Sequence, residues 1–257
     1  DIENQTVNYF RQASIEDTIP VRNVRSVGNN YTVFATETFI DEVSQEIGVD
    51  PMTFRLNYLN GVGINAGSNT PASYGGGKRL ANVLKIASGL ANYGLENLGE
   101  YEGLGIAITG AENRWAPCFL ALVAKVNVDK NSAAINVQKL TCVLDVGIAI
   151  NPDGIRAQVE GSLLWGLSNA LLEKMTLEDG MVSERNFDSY KWQNITKIPE
   201  LEIHIVENGI FPSGVGEPAT CVVAPAIGNA IFNATGVRLR SLPFSREELF
   251  EGLDKKA

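Results

Sequence analysis

The middle of the chain constrains the fold most, because three strand-like stretches follow one another there with no helix between them. They are residues 104–109, 119–129 and 133–147, which are rich in alternating or continuous apolar side chains. Lys130-Asn131, between the last two, indicates a hairpin turn. Since strands and helices do not alternate strictly, the sequence predicts an α+β (mixed α/β) fold.

Helical signals lie on both sides of these strands. Asp50-Pro51 is typical of an N-cap and a first turn, here of a helix ending near Gly61, and Ser245 with Glu248 is typical of a capping box. The spacing of apolar residues predicts further helices over 35–48, 78–93, 150–175 and 221–236.

The longest predicted helix, residues 150–175, contains three glycines. Each internal glycine costs about 1 kcal/mol relative to alanine. Gly154, Gly161 and Gly166 therefore indicate a close approach of another backbone or of a ligand.

Length and composition describe an ordinary globular chain that is large enough to bury a core. The 257 residues are 44% hydrophobic and 20% charged. The net charge of -9 argues against nucleic acid as a partner, since binding phosphates requires a basic face.

The cysteines and the single histidine do not suggest a metal site. Cys118, Cys142 and Cys221 are far apart and odd in number, and no CxxC motif is present. His204 lies in the alternating stretch LEIHIV, which favours a solvent-facing strand histidine over a ligand. We therefore expect no direct metal ligand from this chain.

The N-terminal residues show no targeting signal, which leaves both a cytoplasmic and a periplasmic location open.

Two glycine-rich stretches have competing interpretations. PSGVGEP, residues 212–218, holds Glu217 between restrictive prolines and permissive glycines, as either a solvated surface turn or a carboxylate constrained for use. The segment 61–77 could be a phosphate cradle. However, Arg79 follows Gly77-Lys78 where a P-loop has serine or threonine, so a connecting loop is favoured.

Four stretches together closely resemble one enzyme family. They are, in chain order, NVRSVGNNYTVFATETFIDEV, VLDVGIAINPDGIRAQVEGSLLWGLSNAL, PSGVGEP and APAIGNAIFNATGVRLRSLP. They resemble the C-terminal part of the molybdenum-binding subunit of the xanthine dehydrogenase and aldehyde oxidase family. Their form is most similar to the isoquinoline oxidoreductase and bacterial aldehyde dehydrogenase branch. The resemblance implies the C-terminal portion of a two-domain molybdopterin-binding region. Within it, residues 1–100 would form an N-terminal segment with helices, as part of the molybdenum-binding region. Residues 101–257 would form the C-terminal molybdopterin-binding portion that carries the catalytic glutamate.

The resemblance also implies roles for particular residues. Glu217 matches the family's catalytic acid beside the metal, and Gln158 matches the glutamine that hydrogen-bonds the pterin. The glycine turn before Glu217 would contact the cofactor through Ser213, Gly214, Val215 and Gly216. The family's substrate-pocket turn corresponds to Arg25, Ser26, Val27 and Gly28.

The resemblance further implies a cofactor and partner chains. The cofactor would be a molybdenum–pterin, in its molybdopterin cytosine dinucleotide form, shared with another chain because the family's upstream cofactor motifs are absent here. We therefore expect a split subunit, a processed product or a fragment. The helices predicted over 151–172 and 222–235 would then carry apolar and glycine surfaces for the cofactor and for a neighbouring domain. Expected partners are the rest of the molybdenum subunit, a small [2Fe-2S] subunit carrying the iron–sulfur clusters, and a flavin or cytochrome subunit.

The implied activity is oxidative hydroxylation of an aldehyde or of an N-heteroaromatic carbon with water-derived oxygen, with electrons passed to the iron–sulfur partner. Val27 stands where purine-oxidising relatives have an aromatic ring, which disfavours purines as substrates. Two alternatives remain open at this point: a cofactor-free structural remnant, and an acidic binding module that uses the 61–77 segment.

Overall fold

The computed structural model describes residues 6, 8, 10, 23–59, 76–95, 97–113 and 116–256. The segment 61–75, on which the phosphate-cradle, connector and binding-module interpretations depend, lies outside the described residues, as does the predicted helix end at Gly61. Among the described residues, no helix is both long enough and apolar enough to span a membrane.

A mixed four-stranded sheet forms the centre of the fold. Strands β1 (Glu102–Asn113), β2 (Ala116–Val128) and β3 (Ile135–Asp145) are antiparallel neighbours, and β6 (Glu200–Val206) pairs with β3 in parallel. A separate short hairpin consists of β4 (Leu177–Glu178) and β5 (Met181–Val182). The sheet and its surrounding helices confirm the predicted α+β class, and the exposed position of His204 on β6 confirms the strand interpretation.

The remaining elements of the described residues are helices. In chain order they are α1 (Asn29–Glu46), α2 (Pro51–Tyr58), α3 (Gly77–Leu90), α4 (Pro152–Leu171), α5 (Val223–Thr235) and α6 (Arg246–Asp254), with short 3-10 helices at Ile195–Lys197 and Pro218–Thr220. Two predicted caps are confirmed, since the Asp50 carboxylate accepts from the Thr53 N–H and the Ser245 hydroxyl accepts from the Glu248 N–H.

Helices cover both faces of the sheet. Helix α3 buries Val83, Leu84 and Ala87 against the apolar side chains of β1 and β2. Helix α5 lies against the opposite face, directly over Gly105 of β1, where an added Cβ would stand 2.1 Å from the backbone nitrogen of Ala230. Glycine is required at this position because the helix backbone fills the space that a side chain would need.

One expectation about α5 is wrong. The apolar sequence around it suggested a surface kept for a cofactor and for a neighbouring domain. Residues 223–231 of this helix are instead all buried within the chain itself. The apolar character of α5 follows from its central place in the core.

Candidate functional site

Three segments that are distant in the sequence meet at one end of the sheet. They are the turn Arg25–Gly28 ahead of α1, the exposed side of α4 around Gln158, and the turn Pro212–Pro218 ahead of α5. These segments carry all the residues that the family resemblance singled out. The structure therefore brings the predicted site residues into one neighbourhood.

Arg25 connects these segments through its side chain. Its Nε donates to the Gly216 carbonyl over 2.6 Å, and its Nη2 donates to the Gln158 backbone carbonyl over 3.0 Å and to Gln158 Oε1 over 2.8 Å. The guanidinium also stands 5.9 Å from the ring centre of Trp165. Partial burial lowers the pKa of Arg25, and the charge of Glu217 acts in the opposite direction.

Ser26 connects the first turn to the third. Its hydroxyl donates over 2.5 Å to the backbone carbonyl of Glu217, and its residue is only 4% exposed. Ser26 and Val27 have φ values of 75° and 45°, in the left-handed region that side chains with a Cβ seldom adopt. This tight turn buries Ser26 and leaves Val27 about half exposed.

The backbone carbonyl of Glu217 is hydrogen-bonded, whereas its carboxylate is exposed. Its residue is exposed, and its side chain makes no hydrogen bond or ion pair with the part of the chain that the structure describes. Its carbonyl accepts from Ser26 and also from the Thr220 N–H at 3.1 Å. Pro218 opens the 3-10 helix that follows, which restricts the backbone on the far side of the acid.

The start of the Glu217 turn is fastened to the end of β3. Both the N–H and the hydroxyl of Ser213 donate to the Val146 carbonyl, at 2.9 and 3.2 Å. Gly147, with φ of 74°, lets this segment approach, because an added Cβ would lie 2.4 Å from the Phe211 carbonyl oxygen. The Ser213 donors are thus used within the protein, whereas Gly214 and Val215 are partly exposed and Gly216 supplies its carbonyl to Arg25.

A buried ion pair at the end of β3, between Asp145 and Arg79, was not identified from the sequence. The Asp145 carboxylate is 2% exposed and accepts from Nε and Nη2 of Arg79 at 2.9 and 2.6 Å. It also accepts from Asn208 at 2.8 Å and from the Gly147 N–H at 3.1 Å. The only local signal was the Asp145–Gly147 spacing, which allows the Asp145 carboxylate to accept from the Gly147 N–H. The partners Arg79 and Asn208 lie more than 60 residues away in the sequence, so no local pattern predicts them.

The glycines of α4 serve close contacts near the site. A Cβ on Gly166 would lie 2.7 Å from the Thr220 carbonyl oxygen, which confirms the expected backbone approach at this position. A Cβ on Gly161 would lie 3.4 Å from Nη1 of Arg25. Gly154 differs, because its N–H is part of the cap made by Asn151.

Val27 and Gly28 line an open cavity of about 590 Å³. Tyr31, Met175 and Tyr190 contribute to its other walls. Burial, followed by a hydrogen bond to Glu173, raises the pKa of Tyr190 to about 12. Tyr190 was not identified from the sequence, because a single tyrosine in a polar loop carries no distinctive pattern.

The chemistry of these residues fits an organic cofactor that is held by neutral donors and acceptors. Gln158 is exposed and has an amide nitrogen available to a ligand, while Glu217 supplies an exposed carboxylate from the turn that Arg25 joins to Gln158. The described residues contain no cluster of three or more His, Cys, Asp or Glu side chains that could hold a metal ion.

The sequence matches known proteins along most of its length. Residues 66–199 match the molybdopterin cofactor-binding domain family. A protein named membrane-bound aldehyde dehydrogenase [pyrroloquinoline-quinone], from Gluconacetobacter polyoxogenes, is 40% identical over 96% of this chain and 32% of its own length. Isoquinoline 1-oxidoreductase subunit beta from Brevundimonas diminuta is 29% identical over 88% of this chain and 27% of its own length. The chain thus spans about a third or less of these relatives.

Solved structures share the fold. Quinoline 2-oxidoreductase from Pseudomonas putida 86 matches with a TM-score of 0.75 at 13% identity, covering 90% of this chain and 53% of that one. Aldehyde oxidoreductase from Desulfovibrio gigas matches with a TM-score of 0.72 at 17% identity, covering 90% of this chain and 41% of that one. By family match and by sequence similarity, the chain belongs to the molybdopterin cofactor-binding domain family, within the xanthine dehydrogenase and aldehyde oxidase group and its isoquinoline oxidoreductase and bacterial aldehyde dehydrogenase branch.

Proposed function

We propose that this chain supplies the catalytic base and part of the cofactor site of a molybdenum hydroxylase that oxidises aldehydes or N-heteroaromatic rings. The observation that carries the proposal is the convergence of Arg25, Gln158 and the Glu217 turn at one exposed place in a member of this family. An exposed site of this kind is suited to being completed by further protein and by a cofactor.

Glu217 is the proposed general base. A base must be held within hydrogen-bond reach of the proton that it removes, about 2.6–3.2 Å. Its carbonyl is held by Ser26 and Thr220 while its carboxylate makes no bond within the described residues, so the group is positioned and available. When bound, the molybdenum–pterin cofactor supplies a Lewis-acidic metal and a two-electron acceptor. With the cofactor in place, the Glu217 carboxylate would accept the proton from the attacking water-derived oxygen.

Gln158 and the segment Ser213–Gly216 are the proposed contacts of this chain with the pterin. Gln158 contributes an amide that can both donate and accept, as the edge of a pterin ring requires. The partly exposed backbone of Gly214 and Val215 adds further polar groups without charge. We propose the cytosine dinucleotide form of the cofactor, on the basis of the family branch.

Electrons leave the site through a partner. The three cysteines of this chain are all buried and unpaired, so they are poorly placed to hold an iron–sulfur cluster that exchanges electrons with another protein. We propose a small [2Fe-2S] subunit as the first acceptor, followed by a flavin or cytochrome subunit. The rest of the molybdenum subunit would complete the cofactor site.

Metal and pterin analysis of the isolated complex tests this proposal. We expect about one molybdenum and one pterin for each copy of this chain. The name of the 40% identical relative specifies pyrroloquinoline quinone, so the same sample should be assayed for that quinone as well. A complex that contains the quinone but no molybdenum would contradict the assignment. A complex that contains neither the quinone nor molybdenum would favour the cofactor-free remnant or the acidic binding module.

A further inference from the structure

Arg25 lies in the turn that the family resemblance assigns to the substrate pocket, yet its Nε and Nη2 donate to other parts of the protein. Nε and Nη2 together contact the carbonyl of Gly216 and both oxygens of Gln158, which are 191 and 133 residues away in the sequence. One planar guanidinium therefore joins the acid-bearing turn to helix α4. Nε and the two N–H groups of Nη2 are thus used within the protein.

The contact with Gln158 determines which atoms that side chain offers to a ligand. A guanidinium carries only donors, so the amide atom that faces it must be the oxygen. The Gln158 oxygen lies 2.8 Å from Nη2 of Arg25, which leaves the amide nitrogen on the other side. Gln158 is exposed, so its two N–H groups remain available outside the protein.

The contact with Gly216 fixes the backbone immediately before Glu217. The Gly216 carbonyl accepts from Nε of Arg25 at 2.6 Å, and the Ser162 hydroxyl lies 3.4 Å from the same oxygen. The Arg25 carbonyl in turn accepts from the Asn30 side chain at 2.5 Å, which holds the arginine backbone in place. Moving Arg25 would therefore disturb the acid and the amide together.

We propose that Arg25 is a positioning residue that orients Gln158 as a hydrogen-bond donor toward the cofactor and simultaneously fixes the Glu217 turn. This inference rests on the proposed function for the identity of the ligand. The matching ligand atoms are acceptors, such as a pterin carbonyl or ring nitrogen, or a phosphate oxygen.

The decisive variants are Arg25→Met and Gln158→Glu in the complete complex. Arg25→Met removes all three hydrogen bonds, so we expect amide exchange in residues 213–220 to accelerate by roughly tenfold or more and pterin retention to fall. Gln158→Glu keeps a partner for Arg25 but offers no outward N–H. It should preserve slow exchange while pterin retention still falls.

Two further variants serve as controls. Arg25→Lys keeps the charge without the planar fork, so exchange in residues 213–220 should remain fast. Arg240→Met removes an exposed arginine that pairs with Glu42 of α1, and should leave exchange and pterin content unchanged. In steady-state assays, Arg25→Met should lower kcat with KM changed by less than about threefold, whereas a substrate-binding arginine would act mainly on KM.

Unaltered exchange in residues 213–220 together with full pterin retention in Arg25→Met would overturn the proposal. Full retention in Gln158→Glu would overturn the donor role of the amide. A wild-type complex that contains neither molybdenum nor pterin would instead overturn the proposed function, and the exchange measurement would still test the role of Arg25.

Discussion

The Ser26 hydroxyl donates a hydrogen bond of 2.5 Å to the backbone carbonyl of Glu217, which is 191 residues further along the chain. The turn ahead of α1 and the turn ahead of α5 are therefore in direct contact. Because Ser26 is buried, its hydroxyl has little access to competing water.

Ser26→Ala should loosen the Glu217 turn with only a modest loss of overall stability. The Thr220 N–H still satisfies the Glu217 carbonyl, so we expect the free energy of unfolding to fall by about 0.5–1.5 kcal/mol. Denaturant titration measures this change. Ser189→Ala removes an exposed hydroxyl that donates to Asn186, and should change stability by less than about 0.5 kcal/mol. Equal effects of the two substitutions would contradict the importance of the Ser26 bond.

Gly166→Ala should destabilise the protein, although alanine is normally favoured over glycine inside a helix. The new methyl group would lie 2.7 Å from both the Thr220 carbonyl oxygen and Val223 Cγ2, so the segment after Glu217 must move. We expect a loss of about 1–3 kcal/mol, as for other overpacked sites, and a lower melting temperature in calorimetry.

Gly89→Ala in α3 is the matched control. An added Cβ at Gly89 has no neighbour within 4 Å, so the change should stabilise the protein by about 0.5–1 kcal/mol. If Gly166→Ala were also neutral or stabilising, α4 could not pack against the Glu217 segment as described.

The three cysteines should resist modification in the native protein. Burial is the main cause that raises the pKa of Cys118 and of Cys221 to about 12, and burial also raises the pKa of Cys142. The reactive thiolate of Cys118 and Cys221 is then about one part in ten thousand at pH 8. Mass spectrometry after iodoacetamide treatment should find these residues unlabelled until denaturant is added. Labelling within minutes without denaturant would contradict the burial of these thiols.

Local signals in the sequence predicted the elements better than their arrangement. The caps at Asp50 and Ser245 depend on a few neighbouring residues, and both are confirmed. The parallel pairing of β6 with β3 depends on contacts more than 50 residues apart, for which no local pattern exists. The central position of α5 was missed for the same reason, because an apolar helix has the same appearance whether a core or a partner covers it.

For the site as well, the individual residues could be predicted from the sequence but their arrangement could not. The resemblance selected Gln158 and Glu217, and the structure brings the segments that carry them together through Arg25. The left-handed backbone at Ser26 and Val27 could not be predicted, since neither residue favours that conformation. The surrounding contacts impose it, and they come from residues far away in the sequence.

Glu217→Gln should abolish turnover while leaving the cofactor in place. Glutamine keeps the size of the side chain but cannot act as a base, and losing one general base costs about 10²–10⁴-fold in rate. Molybdenum and pterin content should stay near the wild-type level, because the backbone bonds to Ser26 and Thr220 do not involve the side chain. Glu178→Gln, on the exposed β4 hairpin, should retain full activity. Rapid reduction of the metal by substrate in Glu217→Gln would remove Glu217 from this role.

Val27 sets the final prediction, which concerns substrate choice. The residue is 47% exposed and borders the cavity of about 590 Å³ beside Tyr31 and Met175. A valine offers a planar ring less stacking area than an aromatic side chain, which can contribute about 0.5–1.5 kcal/mol beyond area burial. We therefore expect aldehydes or N-heteroaromatic rings to be oxidised in preference to purines.

The test compares aldehydes, isoquinoline, nicotinate and hypoxanthine with an artificial electron acceptor and the whole complex. Hypoxanthine should have the lowest kcat/KM of the panel. Val27→Phe should raise the affinity for planar rings, by at most about tenfold because stacking alone supplies the gain, and should leave small aliphatic aldehydes unchanged or weaker. Recognition of the purine carbonyls would require further polar partners, so Val27→Phe should not by itself make hypoxanthine the best substrate. Hypoxanthine as the best substrate of the wild-type complex would refute the assignment of Val27 to substrate selection.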